Sequence, residues 1–210
     1  MKKEIVNFDF EVRAEQNEEH GKYLTGHPIV YGAEAEIRHP LRGRFKEIIE
    51  KNALAETDLR DVRFLVNHNT DNIPLARSRN NNENSTMQMV VDPEQGLFIR
   101  VNLDVENNTE ARNLYSAVER GDVSGMSFMF GAVKDRWENT RDEMPVRHIE
   151  SIGRVLEVSA VTFPAYEASS IQTRGLSDAL DSAWESLDSE RTRLEEIERR
   201  KQKIRILAGV

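Results

Sequence analysis

Among the side chains that could carry out covalent chemistry, Ser127 stands in the most suggestive setting. In Gly125-Met126-Ser127-Phe128-Met129-Phe130, the residues Met126, Phe128 and Phe130 alternate to one face of a strand, and Ser127 projects to the other beside Gly125 and Met129. That face reads as sterically open, which a nucleophilic hydroxyl needs if a peptide carbonyl is to reach it. A strand serine is more commonly a surface filler, so the spacing alone does not make Ser127 catalytic. A hydroxyl is a weak nucleophile at neutral pH and requires a base, the role to which histidine is suited.

The sequence holds five histidines, His20, His27, His39, His68 and His148. His68 ends the apolar run Phe64-Leu65-Val66, where a strand can hold it and a loop can expose it. His27 is the nearest rival, within another apolar segment. His20 falls in a charged stretch and His39 between Arg38 and Pro40, both loop-like settings. For any one of them a satisfied structural role is the commoner outcome. The third requirement is an acceptor that orients the imidazole. Glu157 interrupts Val155-Leu156-Glu157-Val158-Ser159-Ala160-Val161 on the face it shares with Val155, Ser159 and Val161. An unpaired carboxylate would be costly to bury there, so Glu157 requires a partner or a wet face. An ion pair with Arg154 or Arg147 would satisfy it equally well, and Glu150 and His148 on the preceding strand are alternatives.

These residues need elements to position them. Val6, Phe8, Phe10 and Val12 alternate at period two and predict a strand over residues 5–13. A second strand is expected over 23–31, a helix over 45–54 from Phe45, Ile48, Ile49 and Leu54, and a strand over 62–66. The asparagine-rich stretch 79–85 reads as a loop, and 86–91 with 97–103 as a hairpin turning at Asp92-Pro93-Glu94-Gln95-Gly96. Ala111, Leu114, Tyr115 and Val118 predict a helix over 109–120 capped by Asn108 or Thr109. Strands follow at 125–133, 147–152 and 155–163, the last ended by Pro164. Beyond Gly175, Leu176, Leu180, Ala183, Leu187, Leu194, Ile197 and Ile204 follow a heptad seam broken at Glu190 and Lys201. Acidic residues lead this segment and basic ones end it, as the helix dipole favours. The expected division is a domain over 1–175 and a charged helical tail over 176–210.

Composition narrows the function. With 210 residues and 38% apolar content, the chain can bury a core without staples. The absence of cysteine excludes disulfides, thiolate metal sites and a cysteine nucleophile. A net charge of −8 argues against nucleic acid as a partner. Neither a signal-peptide core nor a membrane-length apolar run is seen, so no membrane partner is expected. Scattered histidines, no calcium-loop spacing and no glycine-rich phosphate turn lead to an expectation of no metal and no cofactor.

Taken in order, the motifs resemble the caudoviral prohead proteases, relatives of the herpesvirus assembly proteases, over most of residues 20–175. The resemblance rests on Leu65-Val66-Asn67-His68, Gly96-Leu97, Arg120-Gly121-Asp122, the run Gly125 to Phe130, and Glu157-Val158-Ser159 through Pro164-Ala165-Tyr166. Leu75-Ala76 departs from the family's apolar-glycine pair and leaves the loop after His68 undefined. The resemblance implies an α+β fold, a mostly antiparallel barrel surrounded by helices. It implies Ser127 as nucleophile and His68 as base, with an acid that the match puts at Glu157. It further implies a serine endopeptidase acting inside the phage prohead in the bacterial host cytoplasm, removing scaffold segments of the major capsid protein and then degrading itself, and pairing into homo-oligomers as the herpesvirus relatives do. On that view the tail is a shell-targeting or self-cleaved segment, against a plainer solvated helix. A noncatalytic scaffold or assembly chaperone on the same fold is the competing function.

Overall fold

The computed structural model describes residues 3–8, 12–18, 21–39, 41–162 and 174–208. Eleven strands and two helices are described, an α+β arrangement that is mostly sheet. The larger sheet has seven strands: β1 (Lys3–Phe8), β10 (Gly125–Glu138), β11 (Val146–Val161), β5 (Gly43–Ile49) and β4 (Glu34–His39) in that order, with β6 (Asp61–Val66) and β7 (Ala76–Arg79) branching from β11. The smaller sheet has four, in the order β2 (Val12–Asn17), β3 (Gly21–Val30), β9 (Gly96–Asn102) and β8 (Met87–Asp92).

This arrangement corrects the expected closed barrel. Closure requires the outer strands of a sheet to pair, and among the described residues β1 and β4 share no ladder while the four smaller-sheet strands pair only with one another. Nor do helices surround the sheets, since α1 (Thr109–Glu119) and α2 (Arg174–Ala208) are the two described.

Further departures have local causes. The helix expected over 45–54 is strand β5 followed by turns: Phe45, Glu47 and Ile49 are buried while Lys46 and Ile48 are partly exposed, a period of two that the adjacent pair Ile48-Ile49 disguised. The two strands expected over 147–152 and 155–163 are one strand, β11, bridged across Gly153-Arg154 by its ladder with β10, which absorbs register shifts at Met129/Phe130 and Lys134/Asp135. Residues 163–173, including Pro164 and Tyr166, lie outside the described residues, as do 9–11 within the first expected strand and His20. The hairpin forms as β8 and β9. Gly96 there has φ +121°, and a Cβ would meet the Ile29 carbonyl oxygen at 2.2 Å, so only glycine fits. Helix α1 also forms, with Asn108 accepting from the backbone N–H groups of Glu110 and Ala111.

The core is continuous between the sheets, with Phe64, Met126, Phe128, Phe130, Val155 and Val158 fully buried near the middle of the larger one. Helix α1 adds Ala111, Leu114, Tyr115 and Val118. Helix α2 adds Leu180, Ala183, Trp184 and Leu187, with the Trp184 ring 5.9 Å from that of Phe45. Its far end is exposed through Ile204, Ile206 and Leu207.

Candidate active site

Strand β11 organises the site because it pairs with β10 on one side and with β6 on the other. The antiparallel ladder sets Ser127 opposite Ser159, and the parallel ladder sets Ser159 opposite Leu65 and Ala160 opposite Val66. The chain leaving β6 must turn at once to bring His68 back over the sheet. It does so through Asn67 and His68, both left-handed at φ 52° and 56°. Non-glycine residues adopt this conformation at a cost of about 1 kcal/mol or more each, so surrounding contacts must hold it. Asn67 N–H donates to the Ala160 carbonyl at 2.9 Å, its amide nitrogen donates to Thr162 Oγ1 at 3.0 Å, and Thr162 N–H donates to Asn67 Oδ1 at 2.9 Å.

The result is a chain of short contacts. His68 Nε2 lies 2.7 Å from Ser127 Oγ, and His68 Nδ1 lies 2.5 Å from Glu157 Oε1. An ionised carboxylate can only accept, so the network assigns the imidazole proton to Nδ1 and leaves the Nε2 lone pair to accept from the serine hydroxyl. The second Glu157 oxygen accepts from Ser159 Oγ at 2.6 Å, and Ser159 Oγ accepts from the His68 backbone N–H at 3.1 Å. Glu157 is only 3% exposed, and these donors offset the loss of water around its carboxylate.

Ser127 is itself fully buried, which corrects the expectation of an open face. Met126, Phe128 and Phe130 pack into the core as the alternation predicts, but the opposite face lies beneath His68, whose side chain is 8% exposed. Strand β1 runs along the free edge of β10, with Asn7 opposite Ser127 in the ladder.

A serine, a histidine and a carboxylate in this order form the relay by which a hydroxyl is activated toward a carbonyl. Residues 8–181 match the model of the caudovirus prohead serine proteases. The chain belongs to that family. It is 28% identical over 132 residues to the prohead protease of Enterobacteria phage HK97, covering 63% of this chain and 52% of that protein. The chain thus spans about half the length of that curated relative. Among solved structures it is similar to the bacteriophage T4 capsid assembly protease, at 14% identity and a TM-score of 0.40, over 78% of this chain and 100% of that one.

The other candidates of this family member lie elsewhere. His148 Nδ1 is 2.6 Å from Glu50 Oε1, and Glu150 pairs with Lys134 and Arg136. His27 packs its ring 5.1 Å from Phe98 beside an open cavity over the smaller sheet. His39 contacts Asp181 at 3.1 Å and accepts from the backbone N–H groups of Leu41 and Arg42. Arg147 pairs with Glu47 and Asp135, and Arg154 with Asp58, so neither arginine is the partner that Glu157 required. Sequence reasoning gave Asn67 and Thr162 no part in the site. The signal that could have found Asn67 is its type, since asparagine is the non-glycine residue that best tolerates a left-handed turn. Among the described residues, no three His, Asp or Glu side chains gather as a metal site, and no helix is long and apolar enough to cross a membrane.

Proposed function

We propose that the chain is a serine endopeptidase of phage capsid maturation, with Ser127 as nucleophile, His68 as general base and Glu157 as the acid that orients it. The observation that carries this reading is the pair of contacts at His68, 2.7 Å to Ser127 Oγ and 2.5 Å to Glu157 Oε1. In the reaction, Ser127 Oγ attacks the scissile carbonyl carbon as His68 Nε2 takes its proton, and Glu157 stabilises the imidazolium. Backbone N–H groups hold the tetrahedral oxyanion, His68 returns the proton to the leaving amine, and a water activated by the same imidazole releases the acyl group. The substrates in this reading are scaffold segments of the major capsid protein and the protease itself, inside the prohead in the bacterial cytoplasm. A herpesvirus-protease-like fold, homo-oligomeric assembly and a shell-targeting or self-cleaved segment after residue 175 belong to the same proposal.

The test is co-expression with the major capsid protein of the same phage, followed by intact mass. The wild type is expected to shorten the precursor, and Ser127→Ala to lose turnover by about four orders of magnitude or more. Equal shortening by both forms would remove Ser127 from the mechanism. An uncut precursor that still binds the wild-type chain would favour the noncatalytic scaffold.

A further inference from the structure

We infer that Ser159 is a positioning residue of this site, setting the acid and the base with one hydroxyl. The inference rests on the reading of Ser127, His68 and Glu157 as a catalytic relay. Ser159 is fully buried and stands opposite Ser127 in the β10–β11 ladder. Its Oγ–H donates to Glu157 Oε2 at 2.6 Å, the oxygen that does not face His68, and its lone pair accepts from the His68 backbone N–H at 3.1 Å.

Each contact removes a different freedom. A carboxylate bonded through one oxygen can still rotate about its last torsion, which is broad and twofold; a donor on the second oxygen fixes the plane that presents Oε1 to Nδ1. The left-handed pair Asn67-His68 is an unfavourable backbone conformation, and the His68 N–H bond to Ser159 ties it to β11 at the residue that carries the imidazole. Since Glu157 and Ser159 are two apart on one strand, they share a face, and the hydroxyl sits between the acid and the turn bearing the base. A residue lacking the hydroxyl would leave the His68 N–H without this acceptor and Glu157 Oε2 without this donor. Loss of a hydrogen bond to a charged group in a water-poor site lowers reactivity by about 10- to 100-fold.

The experiment follows the rate at which diisopropyl fluorophosphate adds its phosphoryl mass to the full chain, with thermal unfolding recorded for each variant. Ser159→Ala is expected to react about 10- to 100-fold more slowly than the wild type. Ser159→Thr, which keeps the hydroxyl, is expected to stay within about threefold, and Ser159→Val, of the same shape without it, to fall with the alanine variant. In a Glu157→Gln background the further loss from Ser159→Ala should shrink to about threefold or less, because the carboxylate held by the hydroxyl is gone. Equal rates for Ser159→Ala and wild type, or equal slowing in both backgrounds, would overturn the role of Ser159. Should Ser159→Ala not fold, the threonine and valine variants read the same quantity, and equal rates for those two overturn it. A wild type that takes no adduct, or a Ser127→Ala variant that takes it equally, overturns instead the reading of Ser127 as nucleophile.

Discussion

The two ends of β11 face the same physical problem and meet it with different partners. At its start the buried carboxylate is Glu47 of β5, 1% exposed, and its partner is Arg147, 2% exposed, at 2.9 Å. Arg147 also donates to Asp135 of β10 at 2.6 Å, and Asp135 accepts from Ser186 of α2 at 3.1 Å. At its other end the carboxylate is Glu157, 3% exposed, and its partners are the imidazole of His68 and the hydroxyl of Ser159. A guanidinium never gives up its proton in a protein, so the first end fixes charge and ties three strands and a helix together. An imidazole can take a proton and return it, so the second end can do chemistry. Burial alone does not separate the two, and the side chain opposite the carboxylate does.

Breaking each end should therefore give opposite signatures. Glu157→Gln is expected to lower precursor cleavage by about 10⁴-fold through loss of imidazole orientation, while the variant still unfolds cooperatively. Arg147→Ala is expected to do the reverse, costing about 3 to 5 kcal/mol in urea unfolding because Glu47 and Asp135 lose their cation, with the folded fraction still cleaving. If Glu157→Gln lost stability as Arg147→Ala does and kept its turnover, both ends would be structural. Ser186→Ala sharpens the first end at smaller scale: it removes a donor to Asp135 and the acceptor of Trp137 Nε1–H at 3.1 Å, and should cost about 1 kcal/mol in the same unfolding measurement.

Local pattern carried much of the fold. The β8–β9 hairpin, α1 with its Asn108 cap, and β6 ending at the turn that carries His68 were legible because their signals lie within a few residues. The β5 segment was misread because Ile48 and Ile49 are both apolar and only tertiary packing decides which one faces inward. The barrel was an implication of resemblance, and closure depends on pairings between distant strands that no local pattern reports. In the site, a carboxylate inside an apolar alternation signalled that Glu157 needs a partner, but that partner lies 89 residues away through a parallel pairing of β6 with β11. The covered state of Ser127 was illegible for the same reason: alternation gives the face, whereas what lies over it comes from the β6 turn.

If His68 is the base for Ser127, the rate of capsid-precursor cleavage by His68→Ala beside that by His27→Ala shows it most directly. The expected result is a loss of about 10⁴-fold or more for His68→Ala, with His27→Ala cleaving as the wild type does. Cleavage at the wild-type rate by His68→Ala, or an equal loss in both variants, would contradict it.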